Sequence, residues 1–271
     1  MTAPDPLPAL ALGAATGVPL GLISVKRGYI DAKAALLSIL FSSLYFLLSP
    51  GVLVAAAIFF FTSSALTKMG SKHKQSLGVA EPPSGRKWTQ VVGAGGAAAI
   101  AALIPLTGVS PWSKAVAAAL ASLAASNADT WAAEIGSLSR EKPRLITNPR
   151  IRVAPGVSGA VTLAGELGAA AGSAAIALTA AVLARAGLLP PLPTSKIIAI
   201  WVAGYLGEVL DSVVGATLQA KYLCPRCNTL TDKKIHVCGT ETSKISGVSF
   251  INNEATNLLA TMTVLTAVLL L

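Results

Sequence analysis

Apolar stretches of helical length recur along the chain, separated by short polar segments. Eight runs stand out, at approximately residues 9–25, 34–48, 51–66, 90–106, 113–135, 157–186, 196–219 and 252–271. They are too long and too continuous for the alternating strands of a membrane barrel. A helix of about 20 apolar residues crosses a bilayer. The pattern therefore predicts an all-α, polytopic transmembrane bundle of about eight spans (roughly seven to nine), one integral membrane domain over residues 1–271. The sixth run is longer than one span needs and contains Gly165, Gly168 and Gly172. A broken helix is expected there, or an interfacial helix followed by a span.

The polar segments alternate in character. Those after the second, fourth and sixth runs are short: residues 49–51, 107–112 and 187–195. Those after the first, third, fifth and seventh are basic and carry all of the 21 Lys and Arg residues except Lys114, Arg185 and Lys196. Basic loops stay inside, so both termini are expected outside and the four basic loops in the cytoplasm.

Composition agrees with this picture. The chain is 53% hydrophobic and 12% charged, against about 25% charged in soluble domains. The net charge of +9 reads as this loop bias rather than as affinity for nucleic acid. The first run lacks a basic segment before it and is followed by Lys26 and Arg27, which argues against a cleaved signal peptide.

Polar residues inside the spans point to chemistry. Asn127, Asp129 and Glu134 close the fifth span; Ser158, Thr162 and Glu166 open the sixth; Glu208 and Asp211 lie in the seventh; Asn252, Asn253, Glu254 and Asn257 open the eighth. All face the end that carries the basic loops. An Asp at the centre of a membrane helix costs about 2.5–3.5 kcal/mol on insertion scales, so its retention implies a function. Carboxylates with amides and hydroxyls suit Mg²⁺, a hard cation bound by one or two carboxylates plus substrate phosphates. The Gly-containing segment Arg152-Val-Ala-Pro-Gly156-Val-Ser158-Gly159 is expected either to open the sixth span as a phosphate-binding helix N-terminus or to form a simple turn.

The last basic loop, residues 221–245, holds Cys224-Pro-Arg-Cys227 and His236-Val-Cys238, all three cysteines and one of the two histidines of the chain. A C-x₂-C pair plus an H-x-C pair supplies four ligands for a tetrahedral Zn²⁺ with no open position, hence a structural, knuckle-like site. A redox-active cysteine pair is the other reading.

Several motifs resemble the transmembrane protein 19-like family of integral membrane proteins, which includes the plant phytyl-phosphate kinase. They are Phe60-Phe-Thr-Ser-Ser64, Leu66-Thr-Lys68, Arg86 with Trp88, Ser126-Asn-Ala-Asp-Thr-Trp-Ala-Ala-Glu-Ile-Gly136, Pro143-Arg-Leu-Ile-Thr147, Pro155-Gly-Val-Ser-Gly-Ala-Val-Thr162, Asp211-Ser-Val-Val-Gly-Ala-Thr217, and Asn252-Asn253 with Asn257. The resemblance implies phosphoryl transfer from a nucleoside triphosphate to a prenyl or phytyl monophosphate, giving the diphosphate. On this reading Asp129 and Asp211 hold Mg²⁺. Glu134, Asn127, Asn253 and Asn257 complete or orient its shell. Lys68, Arg86 and Arg144 clamp phosphates, with Gly156, Ser158, Gly159 and Thr162 beside them. The substrate's phosphate head and buried tail require a site at the cytoplasmic helix ends, and a chain that starts without a transit-like segment suits a prokaryotic plasma membrane better than a plastid-type one. The alternatives are a CTP-dependent lipid-phosphate nucleotidyltransferase, a transporter of an anionic lipid or phosphate compound, and a scaffold that docks partners through the zinc loop. A transporter would place its polar residues near the midplane; here they gather at one end.

Overall fold

The computed structural model describes residues 5–82 and 84–271; Pro83, in the third loop, lies outside them. Each expected span corresponds to one long helix. In chain order the helices are α1 (Pro6–Lys26), α2 (Ala32–Leu48), α3 (Pro50–Lys68), the short α4 (Ser71–Leu77), α5 (Trp88–Ala101), α6 (Trp112–Gly136), α7 (Leu163–Arg185), α8 (Thr194–Thr217) and α9 (Asn253–Leu270). Pro6, Pro50 and the residues around them open α1 and α3, where a missing N–H costs nothing. Asp31, Thr162 and Asn252 cap α2, α7 and α9 by accepting from Ala34, Gly165 and Ala255 N–H.

Five helical segments are long and apolar enough to cross a membrane: α1, α3, residues 88–107, α7 and α8. Helix α2, at 17 residues, is apolar but shorter. Helix α6, with Asn127, Asp129 and Glu134, and helix α9, with Asn253, Glu254 and Asn257, are less apolar. They tolerate this because their neighbours shield them. Helix α6 lies at the centre, against α3, α5, α7, α8 and α9, and every residue from Ala115 to Ala128 is buried. Leu36, Leu167, Leu178, Val182 and Ile198 point outwards from the surrounding helices, as lipid-facing side chains must.

Small residues set the spacing. A side chain at Gly168 would meet the Trp131 carbonyl at 3.0 Å, and one at Gly172 the Asn127 carbonyl at 2.9 Å. These glycines let α7 lie against α6; they do not break it, and α7 is one continuous helix. The expected sixth span is instead shortened at its start. Gly156 and Gly159 adopt positive φ (83° and 76°), which stops a helix. Ala160–Val161 (β3) pairs with Arg144–Leu145 (β1), which also pairs with Asn148–Arg152 (β2). A second three-stranded sheet, in the order β5 (Thr229–Thr231), β4 (Lys221–Cys224), β6 (Ser243–Ser246), builds the cysteine loop.

The loops meet at two opposite ends. At one end Ser49 Oγ and Gly51 N–H donate to the Leu188 carbonyl, and Trp112 Nε1 donates to that of Leu48. At the other end the four basic loops touch. Arg86 N–H donates to Tyr29 O and Asp31 N–H to Arg86 O, each at 3.0 Å. Lys233 Nζ donates to Gly78 O, and Ser158 N–H to Asp232. The alternation of basic and short loops is thus an alternation of bundle ends.

The close packing around α6 is testable. At Gly204 an added Cβ would collide with Ser173 Oγ and meet Ala124 Cβ at 2.6 Å. Gly204→Ala should destabilise the protein by about 1–3 kcal/mol, read as a lower unfolding midpoint in detergent.

Candidate functional site

Asp129 lies on the last turns of α6, Asp211 on α8 and Asn257 on α9. Their side chains meet. The Asn257 amide approaches Asp129 Oδ2 at 3.4 Å through one end, and its other end is 2.8 Å from Asp211 Oδ1 and 3.0 Å from the Asn253 carbonyl. With its nitrogen turned to Asp211 and Asn253, its oxygen faces Asp129. An amide has a donor end and an acceptor end, so it can satisfy one carboxylate only; the second confronts an oxygen unless a cation or proton lies between. Glu208, one turn before Asp211 on α8, receives Ser212 Oγ on Oε1 at 3.1 Å, while its buried Oε2 has no partner among the described residues. The oxygen donors of Asp129, Asp211 and Asn257 suit Mg²⁺.

A second network adjoins the first. Glu134 Oε1 accepts from Thr67 Oγ1 at 2.6 Å, and Oε2 pairs with Lys74 Nζ. Lys74, 1% exposed, also donates to the Leu66 carbonyl at 2.7 Å, so α4 delivers its charge to the C-terminus of α3. Arg86 donates through Nη2 to Thr67 Oγ1 at 2.9 Å. Among the described residues it has no carboxylate within salt-bridge distance. Burial pulls the guanidinium below its usual range, against the fields of Glu81, Glu134 and Asp129. Arg86 therefore keeps free donors next to the acidic cluster.

Arg86 also borders two cavities. One, of about 320 Å³, is polar and lies among the basic loops; Arg27, Lys68, Ser64, Thr67 and Glu81 are among its walls. Ser64 Oγ, buried and without a hydrogen-bond partner among the described residues, lines it. The other cavity is apolar and runs between α1, α2, α3 and α5. Lys68 is exposed at the polar cavity, donates to the Arg27 carbonyl at 2.6 Å and sits over the Tyr29 ring.

The other expected residues are placed differently. Asn127, fully buried, receives Ser63 Oγ at 3.0 Å and donates to the Gly172 carbonyl at 2.7 Å, so its amide ties α3, α6 and α7 together. Asn253 is exposed on the first turn of α9 and meets Asn257 through its carbonyl. Arg144 is exposed and donates to Pro149 O within its own hairpin. The Gly156–Gly159 segment forms a turn and does not open α7. Its Ser158 N–H is taken by Asp232 Oδ2 at 2.8 Å and its Ser158 Oγ by Gln219. Gly159 lies against the Ser212 carbonyl of α8, where a Cβ would be 2.6 Å away. Thr162 caps α7. Lys74 and Thr67 have no expected role in the site, and Glu208 is expected only as a polar residue of the seventh span. A lysine in a polar loop ordinarily reads as solvated, and no local pattern shows that α4 folds back under α3.

The cysteine loop closes into a cluster. The ligand atoms of Cys224, Cys227, His236 and Cys238 lie within 4.8 Å of one another, so the group can hold a metal. Cys224 and Cys238 sulfurs are 3.7 Å apart and His236 Nδ1 is 3.1 Å from Cys238 Sγ. A tetrahedral centre with Zn–S near 2.3 Å places sulfurs about 3.8 Å apart. The Thr240 hydroxyl and His236 hold the Cys238 thiol down to about 5, while the hydrogen bond with Cys238 pushes Cys227 up to about 11. The cluster is joined to the bundle by Asp232, which accepts from Ser158 N–H, Gln219 Nε2 and Lys221 Nζ.

Comparison with known proteins gives a consistent grouping. A family described as integral membrane protein DUF92 matches residues 15–265. Protein PGR of Arabidopsis thaliana is 31% identical over 253 residues, 86% of each chain. An uncharacterized membrane protein of Synechocystis is 37% identical over 175 residues, 64% of each chain, and one of Methanocaldococcus jannaschii 33% over 130 residues, 48% of each. No solved structure matches the chain.

The Lys74–Glu134 pair makes a stability prediction. Lys74→Met leaves the partly buried Glu134 carboxylate without its cation and should cost up to about 3 kcal/mol, the lower end of what breaking a buried pair costs. Lys74→Met with Glu134→Leu removes both charges and should recover much of that loss in detergent denaturation. Equal losses in the single and double variants would show that the pair is not buried.

Proposed function

The chain belongs to the DUF92 family of integral membrane proteins, and from that premise we infer that it is a lipid-phosphate phosphotransferase, transferring the γ-phosphoryl group of a nucleoside triphosphate to an isoprenoid monophosphate. The observation that carries this reading is the meeting of Asp129, Asp211 and Asn257, from three helices, at the end of the bundle where the cationic loops gather. The family resemblance of the Asp-Thr-Trp and Pro-Arg-Leu-Ile-Thr segments points the same way.

Mg²⁺ held by Asp129 and Asp211 would neutralise nucleotide phosphate charge there. Asn257 orients the two carboxylates. Arg86 and Lys68 bind the phosphates from the loop side. An oxygen of the acceptor phosphate forms a bond to the γ-phosphorus; the bond to the β,γ-bridging oxygen breaks, and the nucleoside diphosphate leaves with that electron pair. The attacking oxygen is already ionised, so no strong base is required and positioning dominates. The polar end faces the cytoplasm of a prokaryotic plasma membrane, where nucleotide is available, in keeping with its basic loops. The cysteine cluster holds a structural Zn²⁺ that orders the loop between α8 and α9.

Purified protein in lipid, given Mg²⁺, γ-labelled ATP, CTP or GTP and phytyl, geranylgeranyl or farnesyl monophosphate, should place label in the lipid diphosphate. Asp129→Asn and Asp211→Asn should each lower the rate about 100-fold or more. A folded protein that labels no acceptor, but incorporates α-labelled CTP, would make it a nucleotidyltransferase instead. Elemental analysis should find one zinc per chain, lost in Cys224→Ser; a metal-free wild-type chain with reactive thiols would remove the zinc reading.

A further inference from the structure

The acidic cluster accounts for the transferred phosphoryl group, yet it leaves both Arg86-bordered cavities without a role. The apolar one begins beside Ile30, Arg86 and Gln90 at the basic end and reaches Tyr45, Leu53 and Leu123 inside the bundle. Along α3 its wall runs from Phe61 to Leu53, about 12 Å at 1.5 Å per residue. Its lining is aromatic and aliphatic, opened by Gly17, Gly21 and Gly95. The polar cavity on the other side of Arg86 sets Arg27, Lys68 and Arg86 against Glu81 alone, and holds the unpartnered Ser64 hydroxyl. An apolar shaft that ends at free cationic donors is complementary to one chemistry: a single hydrocarbon chain with an anionic phosphate head.

We propose that these two cavities form the acceptor site, with the isoprenoid chain lying between α1, α2, α3 and α5 and the monophosphate held by Arg86, Lys68 and Ser64. Arg86, which reaches the acidic network through Thr67, then joins acceptor head to transfer centre. The chain lies between the N-terminal helices. The width of the shaft at Phe41, Ala57 and Phe60 selects the chain. This inference rests on the reading of the acceptor as a lipid phosphate.

The test separates the pocket from the reaction. Ala57, half-buried on α3 and lining the shaft, is changed to Phe; Leu167→Phe, on an exposed face of α7, is the control. Binding of geranylgeranyl monophosphate, geranylgeraniol and inorganic phosphate is measured by native mass spectrometry, and KM for a long and a dimethylallyl acceptor by label transfer. Ala57→Phe should weaken the long-chain monophosphate about tenfold or more, since several buried methylenes lose their place, and weaken the dimethylallyl acceptor far less; Leu167→Phe should bind both as the unaltered protein does. Arg86→Gln should weaken the monophosphate but not the alcohol. A C20 monophosphate with a diazirine at its tail, irradiated on the unaltered protein, should label peptides of α2 and α3 around Tyr45 and Leu53, which reads the site even if Ala57→Phe fails to fold. Label on α7 and α8, or an unchanged long-chain KM in a folded Ala57→Phe protein that still transfers phosphate, overturns the proposal and leaves the kinase reading intact. Tail labelling at α2 and α3 without transfer from any nucleotide supports the pocket and removes the kinase. No binding of the long-chain monophosphate to the unaltered protein overturns the pocket.

Discussion

The close approach of neighbouring helices to α6 rests on side chains that are hardly there. From Ala115 to Ala128 this helix is mostly alanine and serine, fully enclosed. Lipid offers no hydrophobic drive for helices to associate, so contact distance and interhelical hydrogen bonds decide the packing. Gly165, Gly168 and Gly172 of α7 and Gly204 and Gly207 of α8 lie on α6 backbone or Cβ atoms. Ser126 Oγ donates to the Ala94 carbonyl of α5, and Ser122 Oγ to that of Thr261 on α9. Because α6 is held on all these sides, the carboxylates at its end are held too.

That arrangement explains how charged groups survive in the bundle. The polar residues enclosed near the basic end are of two kinds: some are paired, as Glu134 is with Lys74 and Thr67, and others meet in the common space of Asp129, Asp211 and Asn257. The first kind holds helices together. The second leaves polar atoms without full partners, a cost that a fold does not keep without use. Asn127 is of the first kind although it lies two residues from Asp129, since its amide is spent on Ser63 and Gly172.

The cysteine loop shows a similar division of labour. Its four clustered ligands lie outside the bundle, and the loop reaches the bundle through Asp232, which takes the Ser158 N–H, the Gln219 amide and the Lys221 ammonium. The Gly156–Gly159 turn, packed on α8 one turn beyond Asp211, is therefore braced from the loop side. The small sheets and the turn brace this end of the bundle, and Arg86 and Lys68 keep their place at the cavity among the basic loops.

Hydrophobic run length and loop charge were enough to determine the order of the long helices, though not the short α4, their alternation between two ends, and the end at which the polar residues collect. Each is a local property: a helix needs about 20 apolar residues, and basic loops mark one face. The spacing of Cys224, Cys227, His236 and Cys238 likewise sufficed for a metal-binding cluster, because those ligands are near one another in the chain. Tertiary structure alone decided which polar residues serve the fold and which stay free. That Asn257 lies between two aspartates, that Lys74 pairs with Glu134 and that Ser158 is spent on Asp232 depend on contacts between residues far apart in the chain, up to 128 positions for Asn257 and Asp129, and the sharing of Arg86 by two cavities depends on packing of the same kind. Hydrogen-bond partners at such separations follow from how helices pack, and helical periodicity carries no record of them.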